Sequence, residues 1–263
     1  MSSIVKLSSP QSASSDSTSG AEPAKPKVDA SSALKPQAAS DQRAALEKIL
    51  TDYNVHDDEM TEWVPQMGGL PFDMPFVSPK WMTRTEGKLL DDLASARGLA
   101  GLKEFRNIMS NEPRDRGKAF TTADRYYPRV DGNGREIAGA DDGHNDAFRH
   151  AYFNALLTRS FGSEFAAAFA TAHEGTPGNP ASKEAMDLYN NEVGRRVAMR
   201  NVEALDDELA ELIQAALKNG EMVVIDGAGE LAFSDEVPVG QTGRAKDSPR
   251  GIHRAPPPFE PKR

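Results

Sequence analysis

Two segments constrain the fold of this chain more than any other, and both are apolar helices that carry polar side chains. The first runs from Gly143 through His144, Asn145, Asp146, Phe148, Arg149, His150, Tyr152 and Asn154 to Leu157. The second runs from Met186 through Asp187, Asn190, Asn191 and Gly194 to Arg195. At about 100° per residue, Asp146, His150 and Asn154 fall on one stripe of the first helix. Phe148, Ala151, Tyr152, Ala155 and Leu156 cover most of the remaining surface. A helix apolar on nearly every side is buried, so its polar stripe needs buried partners. Asp187, Asn191 and Gly194 share one face of the second helix and can supply them. Gly194 carries no side chain, which lets another backbone come close. The expectation is two packed helices with a polar seam of Asp146, His150, Asn154, Asp187 and Asn191. His173-Glu174 stands at the end of the helix between them.

The rest of the 263 residues frames this seam. Residues 1–40 are Ser, Ala, Pro, Lys and Gln with almost no aromatics, too little apolar surface to offset ordering entropy. They read as a disordered arm, and 239–263 as a disordered, basic, Pro-rich tail. Residues 41–82 read as a short helix capped by Asp41, then a Pro-rich segment whose Trp63, Phe72, Phe76 and Trp81 wrap the domain and fill grooves. Residues 83–238 read as the main domain. Helices are expected over Thr85–Arg97, Leu99–Ser110, Asp141 or Asp142 to Gly162, and Ser163–His173. Two more are expected, one opened by Asn179-Pro180 and one over Asp206–Asn219. Pro113–Ala140 reads as loop, with a tight turn at Asp131-Gly132-Asn133-Gly134. Met222–Asp226 and Glu230–Phe233 read as a hairpin. The fold class is therefore mainly α, a compact helical domain with one small C-terminal β-hairpin between disordered arms.

Composition excludes several functions. The chain has no cysteine, so neither disulfides nor thiol catalysis is available. No apolar run approaches the length of a transmembrane segment. A formal net charge of −9 argues against a large nucleic-acid surface, and no nucleic acid is expected as partner. Met1–Leu7 lacks the long apolar core of a cleaved signal peptide. Export, if it occurs, then needs a specialised secretion system, with the protein cytoplasmic beforehand.

The seam supports more than one chemistry. In metal-free acid–base catalysis His150 is the base, oriented by Asp187 or Asp146, with Glu174 as acid and His173 beside it. Asn154, Asn191, Arg149 and Asn190 are then the candidates to hold substrate or a developing oxyanion. In a metal site the candidate ligands are His144, Asp146, His150, His173 and Asp187, and a divalent metal ion is the candidate cofactor. His144 and His150 are six apart, not the four that aligns a ligand pair on one helix face. A glycosidase would use Glu174 with Asp146 or Asp187. No Ser stands in a strained-turn motif for nucleophilic attack. The plain alternative is a network that only fixes how two helices dock.

The residues Asp146-Ala-Phe-Arg-His-Ala-Tyr-x-Asn-Ala-Leu, then Ala-His-Glu, then Met-Asp-Leu-x-Asn-Asn-x-Val-Gly-Arg resemble a known signature. It is that of an uncharacterised helical domain at the C-termini of RHS-repeat and other polymorphic-toxin-like secreted bacterial proteins. The resemblance covers about Leu89 to Val237 and implies a toxin or effector context. It maps Asp146, Arg149, His150, Asn154, His173, Glu174, Asp187, Asn190, Asn191 and Gly194 onto the signature. The chain departs from that family in having no repeat scaffold upstream. It is also similar, more faintly, to small secreted calcium-dependent phospholipases, but Ala151 stands where their acidic calcium ligand follows the histidine. The expected function is a secreted effector or toxin, a hydrolase acting on a cell-envelope or host component. An immunity protein or secretion chaperone is the expected partner. The alternative is a non-catalytic module that docks partners through its aromatic segment and arms.

Overall fold

A computed structural model describes residues 39–249 except 68–69, 72–79, 113–114, 132 and 138–140. The arm up to residue 38, Phe72, Phe76 and the tail from residue 250 therefore lie outside the described residues. The described ones form seven helices and four two-stranded antiparallel pairs, as the mainly α expectation requires.

The centre is α4 (His144–Phe161), packed along α6 (Ala181–Arg200). Every residue of α4 from His144 to Leu157 is buried except Arg149, which is half-buried. Helices α3 (Lys118–Tyr126), α5 (Ser163–Glu174) and α7 (Asp206–Lys218) close round α4. At the crossing of α4 and α6 an added Cβ on Gly194 would stand 1.9 Å from the Ala151 carbonyl oxygen. Backbone thus meets backbone there, as the glycine's place on the seam face implies. Phe105 of α2 (Arg84–Met109) fills the outer core edge-on against Phe169, at 4.7 Å between ring centroids.

Helix α2 joins the two helices expected on either side of Gly98. The chain kinks there, with Gly98 at φ 62°, ψ −159°, and then resumes. Its start is a capping box: Thr83 Oγ1 accepts from the Glu86 N–H at 3.1 Å, and the Glu86 carboxylate accepts from the Thr83 N–H at 2.8 Å. Helix α3 corrects the loop expected over Pro113–Ala140. Nine residues with Thr121-Thr122 in the middle would not hold a helix in water. Ala119 and Ala123, both fully buried, hold it in the core beside α4.

Caps move by a residue or two from the sequence expectation. Gly143, not Asp141 or Asp142, precedes α4, Gly162 precedes α5, and Pro180 is the cap of α6. Asp142 instead sits at φ 60° and uses its side chain elsewhere. Asp41 lies in the first turn of α1 (Ala39–Asp52) rather than at its cap.

The segment before α2 is less irregular than its prolines suggest. Strands β1 (Met60–Trp63) and β4 (Lys80–Thr83) pair, with the shorter β2 (Gln66–Met67) and β3 (Leu70–Pro71) between them in the chain. Trp63 is buried against Gly87 and donates Nε1–H to Asp91 at 3.0 Å. Trp81 corrects the groove-filling expectation: it is 69 % exposed. A further pair, β5 (Asn111–Glu112) and β6 (Asp115–Arg116), leads into α3. The expected hairpin is present as β7 (Val223–Ile225) with β8 (Leu231–Phe233). Beyond it, residues 239–249 of the expected tail lie on the domain. Asp247 accepts from the Ser182 N–H at 2.9 Å, and the Ala245 N–H donates to Asp142 at 3.0 Å.

Candidate active site

His150 is the hub of the seam. Its side chain is 6 % exposed, and both ring nitrogens face carboxylates. Nε2 lies 3.6 Å from Asp146 Oδ1 and 3.6 Å from Asp187 Oδ1, while Nδ1 lies 3.6 Å from Glu174 Oε1. Arg149 Nη2 is also 2.8 Å from Nε2. A guanidinium only donates, so Nε2 accepts that bond and the neutral ring carries its proton on Nδ1, towards Glu174. Burial first, then the Arg149 charge, hold the imidazole well below its usual pKa.

Three helices deliver these groups. Helix α4 places Asp146 one turn before His150, α5 ends on Glu174, and α6 brings Asp187 across the seam. Lys183, one turn before Asp187 on α6, closes the cluster. It pairs with Asp142 and reaches Asp146 at 3.4 Å and Asp187 at 3.8 Å. Asp146 also pairs with Arg149 and accepts from the Asp142 N–H at 2.9 Å. Burial would lift the Asp146 carboxyl, but Arg149, His150 and Lys183 outweigh it and hold it well below the usual range. Asp187 goes the other way: burial, with Glu174 and Asp146 nearby, outweighs Lys183 and raises it well above. Burial likewise pushes Glu174 up to about 7, against the pull of His173, Lys183 and Arg149. Among the described residues, Asp187 Oδ1 and Glu174 Oε1 have no hydrogen-bond partner.

A narrow cleft opens on this cluster. Arg149, His150, His173, Glu174 and Asn191 line it on the polar side, and Phe120 and Phe153 are among its apolar walls. Its free space is about 20 Å³, room for a water molecule. The guanidinium of Arg149 rests 5.0 Å from the centroid of the Phe120 ring.

Not every sequence-predicted residue faces that cleft. His144 turns its Nε2 to the Ser234 carbonyl at 3.0 Å and stacks on Tyr127, so it is corrected from candidate ligand to a tie between α4 and the C-terminal hairpin. Asn190 is corrected from substrate holder to fold tie, because its amide bonds the Val223 backbone from both sides, at 2.9 and 3.1 Å. Asn154 is likewise taken, donating to Asn191 at 2.5 Å and accepting from Arg195 at 2.9 Å. Of the four candidate binding residues, Arg149 and Asn191 remain on the cleft. His173 lines it too, but its Nδ1 bonds Glu86 at 2.8 Å, away from the metal-type donors.

Sequence reasoning missed Glu86, Lys183, Asp142 and Arg195. Lys183 had a legible signal, four residues before Asp187 and hence on its face. Glu86 had another, the Thr-x-x-Glu capping box. Glu86 is buried, and it controls His173. Burial pushes the His173 imidazole down, but the hydrogen bond and charge of Glu86 lift it to about 9. The side chain is 41 % exposed, so solvent screens part of this. Because the folded value lies above the unfolded one, the pair stabilises fully below pH 6.5 and loses that contribution as pH rises through about 9. Glu86→Gln keeps the capping acceptor and removes the charge. Urea unfolding at pH 6 and pH 9.5 is expected to show a fall of about 1 kcal/mol in the wild type beyond that of the variant. Equal slopes would dissociate His173 from Glu86.

One family model matches the chain. Residues 112–221 match a domain of unknown function, DUF6973. The matched stretch is under half of the chain and holds α3 to α7, with every group that faces His150; Glu86 lies outside it. No solved structure matches the chain.

Proposed function

We propose that this protein is a hydrolase whose reaction centre is the cleft over His150, and that it acts as an exported bacterial effector or toxin on a cell-envelope or host component. One observation carries the enzymatic part: a buried imidazole with a carboxylate facing each ring nitrogen, at the floor of a cleft that takes one water. Burying three carboxylates round one histidine is costly, and a network needed only for docking would satisfy all of their oxygens. Here two oxygens go without a partner and lie 3.6 Å from His150. The effector context is supported by the likeness of the AFRHAYFNAL, AHE and MDLYNNEVGR segments to polymorphic-toxin domains.

In this reading the cleft water is the nucleophile. Glu174 takes its proton, and the His150 Nδ1–H stands 3.6 Å behind that carboxylate, close enough to bond it as charge develops. Arg149 and protonated His173 stand on the cleft wall, where negative charge grows on the attacked group. Asn191, held by Asn154, orients the substrate. Glu174 then returns the proton to the leaving group.

The test is growth of a bacterium that makes the full chain in its cytoplasm or exports it to the periplasm. Wild type is expected to arrest growth in one compartment. Glu174→Gln removes the base and His150→Ala the group behind it; with folding checked by circular dichroism, both are expected to restore growth, since losing general-base catalysis lowers a rate by about 100-fold or more. Equal growth with all three chains in both compartments would overturn the proposal.

One observation favours the non-catalytic reading, the large exposed ring of Trp81 on β4. Under that reading His150→Ala leaves the phenotype intact and Trp81→Ala removes it.

A further inference from the structure

We propose that Asp146, His150 and Asp187 bind one divalent transition-metal ion of the Zn²⁺ or Mn²⁺ class. The inference concerns a cofactor held on the Nε2 side of His150, next to the cleft assigned above, and rests on that assignment for its role, though binding itself is measured separately.

Spacing is the first argument. Among the described residues, one donor atom each from Asp146, His150 and Asp187 lie within 4.8 Å of one another. His150 Nε2 is 3.6 Å from each of the two carboxylate oxygens. Donors about 2.1 Å from a tetrahedral ion stand about 3.4 Å apart, so the three need only small adjustments to close on one centre.

The second argument is an unpartnered oxygen. Asp187, with a side chain 2 % exposed, aims Oδ1 at His150 Nε2, and no residue among those described donates a hydrogen bond to it. Behind the ring, Glu174 Oε1 faces Nδ1. A carboxylate on the far nitrogen of a histidine is how proteins orient a ligating imidazole and raise its basicity.

Charge supplies the third. Three carboxylates, Asp146, Glu174 and Asp187, face His150. The cation at Asp187, Lys183, stands 3.8 Å away and is paired with Asp142, so an incoming divalent ion supplies positive charge where these carboxylates converge. The imidazole among the donors favours Zn²⁺ over Ca²⁺ or Mg²⁺, and the two carboxylates admit Mn²⁺.

Arg149 is the competitor. Its Nη2 touches both Asp146 Oδ1 and His150 Nε2, two of the three donors. The side chain is 21 % exposed and rests on Phe120 at the cleft, so it has a way out when an ion enters.

The experiment is isothermal titration of the chelator-stripped full chain with ZnCl₂, MnCl₂ and, as control, CaCl₂. Zn²⁺ or Mn²⁺ is expected to bind one to one, at least 10-fold more tightly than Ca²⁺. Asp187→Asn and His150→Gln are each expected to weaken binding by 10-fold or more, and Arg149→Met to strengthen it. Two variants from different helices are used so that a folding defect in one does not decide the matter. Absence of Zn²⁺ and Mn²⁺ binding, or binding that survives in both variants, would overturn the site. No metal binding in a protein that still arrests growth sinks this inference alone. Binding by a protein that is harmless in both compartments sinks the hydrolase instead.

Discussion

Gly194→Ala is expected to lower stability by at least about 3 kcal/mol, with a fall in melting temperature of about 6–12 °C. The usual sign of the substitution is the reverse, since alanine is the better helix former by up to about 1 kcal/mol. Position reverses it. The new Cβ would stand 1.9 Å from the Ala151 carbonyl oxygen, 2.6 Å from its carbon and 2.8 Å from its Cα. All three are backbone atoms in the middle of α4, so no rotamer change relieves the clash. The two helices must part, and the seam of Asn154, Asn191, His150 and Asp187 parts with them. Thermal unfolding followed by circular dichroism checks this. A variant as stable as wild type would mean that α4 and α6 do not cross at this glycine.

The same crossing shows what the sequence could and could not disclose. The apolar faces of 143–157 and 186–195 leave only burial as an outcome, and Gly194 marks where the backbones touch. Helix existence was legible wherever periodicity ran for three turns or more, as in α2, α4, α6 and α7. Helix α3 was not, because tertiary contact at Ala119 and Ala123 decides it rather than its own propensity. The pairing of β1 with β4 was hidden by the prolines between them. At the site, stripe geometry brought Asp146, His150 and Asp187 together. It could not tell which polar residues of the same helices turn elsewhere, because one step of 100° moves Asn190 from the seam to Val223. Glu86 was out of reach for another reason: its link to His173 joins elements 87 residues apart.

Two carboxylates in this seam are expected to respond oppositely to removal in chelator-treated buffer. Asp146→Ala should cost about 2–4 kcal/mol. It strips the pairing partner of Arg149, one of the partners of Lys183 and the acceptor of the Asp142 N–H. The figure sits below that for a fully buried broken pair because Arg149 and Lys183 keep 21 % and 26 % of their surface in water. Asp187→Asn should leave stability unchanged or raise it by up to about 1 kcal/mol. Its Oδ1 has no donor, and its nearest cation, Lys183, stands at 3.8 Å and already has Asp142. A buried carboxylate so poorly compensated is kept for what it does rather than for what it holds together. Urea denaturation of both variants beside wild type reads the contrast directly. Should Asp187→Asn prove the more damaging of the two, the seam would be a docking device, and the case for a reaction centre at His150 would lose its physical basis.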